Sequence, residues 1–311
     1  MKNDPIESAL ARLEDIPTQT PAGKTEFAKA LAAKSNLVVA KAARLIGAAQ
    51  WIDLNNELVA AFDRMIGKGA SIDKACAAMI AIARTLVQLE FDAPDLYLRG
   101  IRHIQMEASY GPPIDTATEL RAVCAMGLAN STYPHKLRDL LPLLVDKEWQ
   151  VRAGVIRAMA VIGTEAASLL LRYKMLAGDK ESDVMAECFN SMLILEGAEG
   201  IPLVAHFVAS DNPEIREAAI LAMGASRRKD AVEWLITQFS KTADAPGRKC
   251  ILLSLSTSRS ETATEFLLDQ IRTGSEKTST HAAEALSIHN RDKQLQTQVE
   301  EALRLRNATA D

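Results

Sequence analysis

The chain has 311 residues, of which 48% are hydrophobic, 24% charged and only 5% aromatic, and 36 basic against 40 acidic residues give a net charge of −4. The balance holds in both halves, with 17 basic and 18 acidic residues over 1–150 and 19 and 22 over 151–311. These figures exclude disordered and fibrous classes, and the missing basic excess argues against a protein that mainly grips nucleic acid or an anionic membrane surface.

A core so poor in rings must be filled by Ala, Leu, Ile, Val and Met, which suit close helix packing. Residues 1–16 (MKNDPIESALARLEDI) lack the apolar run of a secretory signal. Asp4-Pro5-Ile6-Glu7 fits a capping box with Pro at the first helical position, and Ile6, Leu10, Leu13 and Ile16 form one apolar face. Residues 17–24 (PTQTPAGK) read as a linker. Helices are predicted over 25–33, 36–49, 54–67, 72–90, 94–105 and 116–129, enough for about three pairs. The most apolar run, 75–83, is too short to cross roughly 30 Å of hydrocarbon, so a soluble, cytoplasmic protein is expected. Gly111-Pro112-Pro113 cannot continue a helix, which makes 106–115 (MEASYGPPID) a long loop.

From residue 140 the chain restates one scheme: an apolar helix, an aspartate, then a second apolar helix. The aspartates are Asp146, Asp179, Asp211 and Asp244, spaced 33, 32 and 33. Within 151–163 (VRAGVIRAMAVIG), Val151, Val155, Met159 and Ile162 recur at steps of four, four and three, the helical period. Asn212-Pro213 supplies a cap and a first-turn proline, and each aspartate stands where it can cap the helix that follows. Gly163, Gly178, Gly197 and Gly274 fall at predicted helix ends, where positive φ is common. A fifth unit (264–274 with 281–290) and a charged final helix (292–306) complete the array. The expected organisation is 1–130, irregular helical repeats with a leading helix and linker, and 131–311, regular repeats with a terminal cap. A helical hairpin of about 32 residues cannot bury its apolar faces alone, and stacking such units does so.

The run Asp146-Lys147-Glu148-Trp149-Gln150-Val151-Arg152, continued through Ala158 to Gly163, resembles the second-helix signature of the HEAT-repeat family in its short form, the PBS-lyase HEAT-like repeat. Looser matches lie at 211–224 and 179–196, the latter with Met185 in place of the signature arginine. The resemblance covers about 130–290. It implies an all-α, right-handed α-solenoid of about eight antiparallel helix pairs, with the second helices lining a concave face.

Cys124, Cys188 and Cys250 fall near the place Val155 takes in its own repeat. Thiols on successive helices about 8–10 Å apart cannot share one zinc, so these and Cys76 read as buried core and no cofactor is expected. Deoxyhypusine hydroxylases resemble this fold but hold iron with repeated His-Glu pairs; here none of the five His is followed by Glu. No nucleophile elbow, phosphate loop or dinucleotide motif is present, and Gly23-Lys24-Thr25 reads as a linker meeting a helix.

Arg152, Arg157 and Arg216 lie on second helices, as contacts for an acidic ligand or as a structural ladder to Asp146, Asp179 and Asp211. Tyr97, Arg99, Arg102, His103 and Tyr110 cluster in the least regular segment, and Trp149 opens a second helix; Tyr and Arg are favoured interface anchors. The expected function is a non-catalytic scaffold or adaptor holding a protein or peptide on its concave face. The alternatives are a phycobilin lyase-like or other regulatory subunit and, less in keeping with the charge, a nucleic-acid binder. The partner and the oligomeric state are not written in the sequence.

Overall fold

The computed structural model describes residues 5–310, so Asp4 of the capping box lies outside the described residues. The fold is all-α apart from one tiny hairpin, and it divides into two compact units, Met1–Ala167 and Ser168–Asp311.

In the first unit the helices are α1 (Pro5–Glu14), α2 (Pro21–Leu31), α3 (Asn36–Ala48), α4 (Asn55–Lys68), α5 (Ala77–Gln88), α6 (Pro94–Gly100), α7 (Thr118–Asn130), α8 (Lys136–Leu140) and α9 (Trp149–Ile162). The second helices α3, α5, α7 and α9 pack each on the next, with α2, α4, α6 and α8 laid against them. Strands β1 (Met106–Glu107) and β2 (Ile114–Asp115) pair antiparallel between α6 and α7, with Met106 opposite Asp115 and Glu107 opposite Ile114. The segment read as a loop is therefore a closed hairpin.

Helix α10 (Glu165–Ala177) spans the division. The second unit continues with α11 (Ser182–Glu196), α12 (Gly200–Ala205), α13 (Pro213–Ala225), α14 (Lys229–Lys241), α15 (Ala245–Ser258), α16 (Glu261–Thr273), α17 (Glu276–Ser287) and α18 (Lys293–Ala310). Here α11, α13, α15 and α17 form the stacked row, each joined to its partner from α12, α14, α16 and α18. Ser182–Ala209 is long and apolar enough, by length and composition, to span a bilayer. It is not one helix: Gly197 breaks it at φ 58, and α12 folds back onto α11.

Local chemistry accounts for the boundaries. Thr20 caps α2 by accepting the Gly23 N–H at 3.0 Å, with Pro21 in the first turn, so half of the predicted linker 17–24 is helix. Asn212 and Asp244 cap α13 and α15. Asp146 and Asp179 act one step earlier, each accepting the N–H two residues on (Glu148, 2.9 Å; Glu181, 3.1 Å). Pro142 turns the predicted apolar helix after α8 into a 3₁₀ turn over Leu141–Val145. Gly163 and Gly178 end their helices at φ 67 and 77, whereas Gly274 has φ −68, so no left-handed conformation explains that glycine.

Small residues set the helix spacing. A Cβ on Gly154 would stand 2.5 Å from the Ala122 Cβ, which fixes the approach of α9 to α7. One on Gly224 would stand 2.0 Å from the Ser254 carbonyl oxygen, bringing α13 against α15. Val155, Cys124, Cys188 and Cys250 occupy equivalent buried places, and all four cysteines are free thiols. Among the described residues no cluster of His, Cys, Asp or Glu could hold a metal ion.

Candidate functional site

The structure concentrates its buried polar chemistry where the turn before α5 meets the hairpin before α7. Asp73 has no exposed surface, and its carboxylate accepts the N–H groups of Ala78 and Met79, each at 2.9 Å, and the Asn36 amide at 3.1 Å. An anion is favoured there because the first turn of α5 has unpaired N–H donors and the positive end of the helix dipole. The chain enters α5 through Ala75 (φ 56) and Cys76 (φ 51), two successive non-glycine residues in the left-handed region. Each costs on the order of 1 kcal/mol and persists only where its surroundings fix it.

The hairpin supplies that fixing. Glu107 Oε1 accepts the Ala75 N–H, the Gln105 Nε2–H and the Thr116 hydroxyl, each at 2.7 Å. Gln105 also donates to the Asp73 carbonyl at 2.9 Å. Asp115 accepts the N–H groups of Gln105 (3.1 Å) and Ala117 (2.9 Å) and pairs with Arg121 at 2.7 Å. Arg121, 3% exposed, donates to the His103 carbonyl at 2.9 Å and lies 3.2 Å from the Asp146 carboxylate of the next repeat. Burial resists ionisation of Glu107 and Asp115, but these hydrogen bonds and the neighbouring cations outweigh it and hold both carboxyls below their usual range. Burial pushes the Cys76 thiol up to about 12, so it is no nucleophile. The cluster's carboxylates are engaged by donors within the chain; what it does is brace.

Several apolar side chains around the braced hairpin stand in solvent. Ile104, Met106 and Ile114 are more than half exposed, and Tyr110 at the tip is exposed along its whole side chain. Exposed aliphatics near an aromatic, on a backbone already held in place, are the physical features that interaction surfaces share. The sequence reading found Tyr110 but not Ile104, Met106 or Ile114. For Met106 and Ile114 the signal is an apolar residue in a segment that cannot join a helix face, whereas Ile104 falls within the helix predicted over 94–105.

The other expected site residues are scattered. Tyr97 is 1% exposed, donates to the Phe91 carbonyl at 3.0 Å and packs against Gly127, where a Cβ would meet its ring at 2.3 Å. Burial takes it out of any binding surface. Arg99 pairs with Asp63, and Arg102 with Asp139, which also accepts the Tyr133 hydroxyl. His103 Nε2 lies 3.3 Å from Gln105 Oε1, at the edge of the braced cluster. Trp149 is half-buried at the first turn of α9. Arg157 is exposed on the same helix. Arg152 is 5% exposed and donates to the carbonyls of Asp146 (2.8 Å) and Lys147 (3.1 Å). Arg216 repeats the arrangement on the Ser210 carbonyl at 2.9 Å. Both signature arginines thus close the turn before their own helix. Arg121 pairs with Asp146 of the next repeat, and Lys174 pairs with Asp179 of its own repeat at 2.7 Å.

Residues 201–287 match the family model of HEAT repeats. No curated protein matches the chain. Among solved structures it is similar to the complex of CpcE and CpcF of phycocyanin lyase from Nostoc sp. PCC7120, at 14% identity over 75% of this chain and 89% of that one, with a TM-score of 0.38. It is also similar to human deoxyhypusine hydroxylase in complex with glycerol, at 16% identity over 82% and 91%, with a TM-score of 0.31.

Proposed function

We propose that this protein is a non-catalytic adaptor that binds a protein partner, and that the hairpin at 104–114 is its main contact. One observation carries the reading: the hairpin is tied to the α5 turn by the Ala75 N–H on Glu107 and by the Gln105 amide on the Asp73 carbonyl, while Met106, Tyr110 and Ile114 stand in solvent. Preorganisation of this kind lowers the entropy lost on binding. HEAT repeats suit the role, since stacked helix pairs present extended rigid surfaces. The contact differs from the concave arginines expected from the sequence, of which Arg152 donates to the Asp146 carbonyl and Arg216 to the Ser210 carbonyl.

The test is capture of partners by the tagged full chain, compared with a Met106→Ser, Tyr110→Ser, Ile114→Ser variant, with mass spectrometry identifying what is held. The expected result is a partner lost from the variant while its melting temperature stays at the wild-type value. Equal capture by both proteins refutes this placement. Mixing with a bilin and an apo-phycobiliprotein is expected to give no coloured adduct; a coloured adduct would turn the reading to the lyase-like alternative.

A further inference from the structure

An open cleft of about 570 Å³ lies in the second unit, lined by the end of α15, the start of α16, the α17–α18 turn and the first turns of α18. That volume is in the range of pockets that hold small molecules. One wall is apolar, formed by Ile288 and Leu295. The remainder is rich in donors: Arg259, His289, Asn290, Arg291, Gln294 and Gln298.

The charges around this cavity are unbalanced. Arg259 and Arg291 both reach it, and among the described residues no ion pair or side-chain hydrogen bond engages either guanidinium. Asp292 is the one carboxylate in the wall, and its Oδ1 accepts the Leu295 N–H at 3.1 Å as the cap of α18. His289 Nε2 lies 3.0 Å from the Ser256 carbonyl, which only accepts, so Nε2 carries the hydrogen and the ring is fixed at the cavity wall. An apolar wall beside two unneutralised guanidinia is complementary to a small organic anion. A guanidinium fork fits phosphate oxygens in bidentate fashion. A phosphate monoester brings three oxygens and nearly two charges on one head, enough for both arginines, whereas a monocarboxylate brings two oxygens and one charge.

We propose that this cavity is a binding site for a small phosphate monoester, with its head on Arg259 and Arg291 and its body against Ile288 and Leu295. The site is separate from the hairpin and stands whether or not the hairpin is the partner contact.

Calorimetric titration of the full chain with phenyl phosphate, inorganic phosphate and benzoate tests it, since these probes supply head and body, head alone, and body with the wrong head. Phenyl phosphate is expected to bind saturably and more tightly than either of the others. The Arg259→Gln, Arg291→Gln double variant is expected to lose at least about tenfold of that affinity, because two charge-assisted contacts are removed, while melting like the wild type. A Lys293→Gln variant, changed at an exposed residue outside the cavity wall, is expected to bind as the wild type does. Absence of saturable phenyl phosphate binding, equal binding by the double variant, or benzoate binding as tightly as phenyl phosphate would each overturn the proposal.

Discussion

Replacing Glu107 by Ala removes one oxygen that three donors share at 2.7 Å: the Ala75 N–H, the Gln105 amide and the Thr116 hydroxyl. Bonds to a charged acceptor contribute about 1.5–3 kcal/mol each when fully buried. The site is half-buried and water can reach part of it, so about 1 kcal/mol for each donor is the fitting figure, about 3 kcal/mol in all. Freeing Ala75 from its left-handed conformation returns roughly 1 kcal/mol, leaving a net loss of about 2 kcal/mol. For a unit the size of Met1–Ala167, that lowers the melting temperature by about 4–8 °C. Amide hydrogen exchange over 105–116 and 73–79 should accelerate together, because one carboxylate ties the hairpin to the α5 turn. A variant melting within about 1 °C of wild type, with unchanged exchange in both segments, would show that Glu107 braces nothing.

Further outcomes follow from the same geometry. Ala75→Gly is expected to stabilise the first unit by about 0.5–1 kcal/mol, measured by chemical denaturation, since the Ala75 side chain is exposed and its φ of 56 suits glycine. Arg121→Met strands the Asp115 and Asp146 carboxylates and should cost about 3–5 kcal/mol in the first unit. Gly224→Ala should destabilise the second unit by about 2 kcal/mol. Its Cβ would meet the Ser254 carbonyl oxygen at 2.0 Å, an overpacking cost of about 3 kcal/mol against about 1 kcal/mol gained in helix propensity. The carboxyls of Glu107 and Asp115 are held below their usual range, so the unfolded state binds protons first as pH falls. Their contribution is full above about pH 5 and is lost as pH falls through the lowered native values, and a Glu107→Gln variant should show a shallower acid loss of melting temperature.

The repeat was legible because its period is covalent: Asp146, Asp179, Asp211 and Asp244 mark it without reference to any tertiary contact. Helix type followed from apolar spacing, and the α13 cap from Asn212-Pro213. Thr20-Pro21 carried the same kind of signal at α2, but the surrounding PTQTPAGK composition masked it. What stayed hidden depends on distant partners. Tyr97 sits in a space opened by Gly127, on another helix, so its burial could not be read from its neighbours in sequence. Arg152 is open in sequence between ligand contact and structural ladder, and the two backbone carbonyls it donates to are acceptors that no residue pattern encodes. The hairpin was visible as a break in the helices, while its anchoring needed Asp73, Glu107 and Arg121 to converge from three separate stretches.

The four buried cysteines give the molecule an internal set of timers. Burial raises every one of their thiols, to about 12 for Cys76, Cys188 and Cys250 and further for Cys124, so alkylating reagents find no thiolate in the native state. Modification of each sulfur therefore reports an opening event. With Cys76 and Cys124 in the first unit and Cys188 and Cys250 in the second, pulsed alkylation read by peptide mass would reveal which end of the chain comes apart first, with no engineered probe.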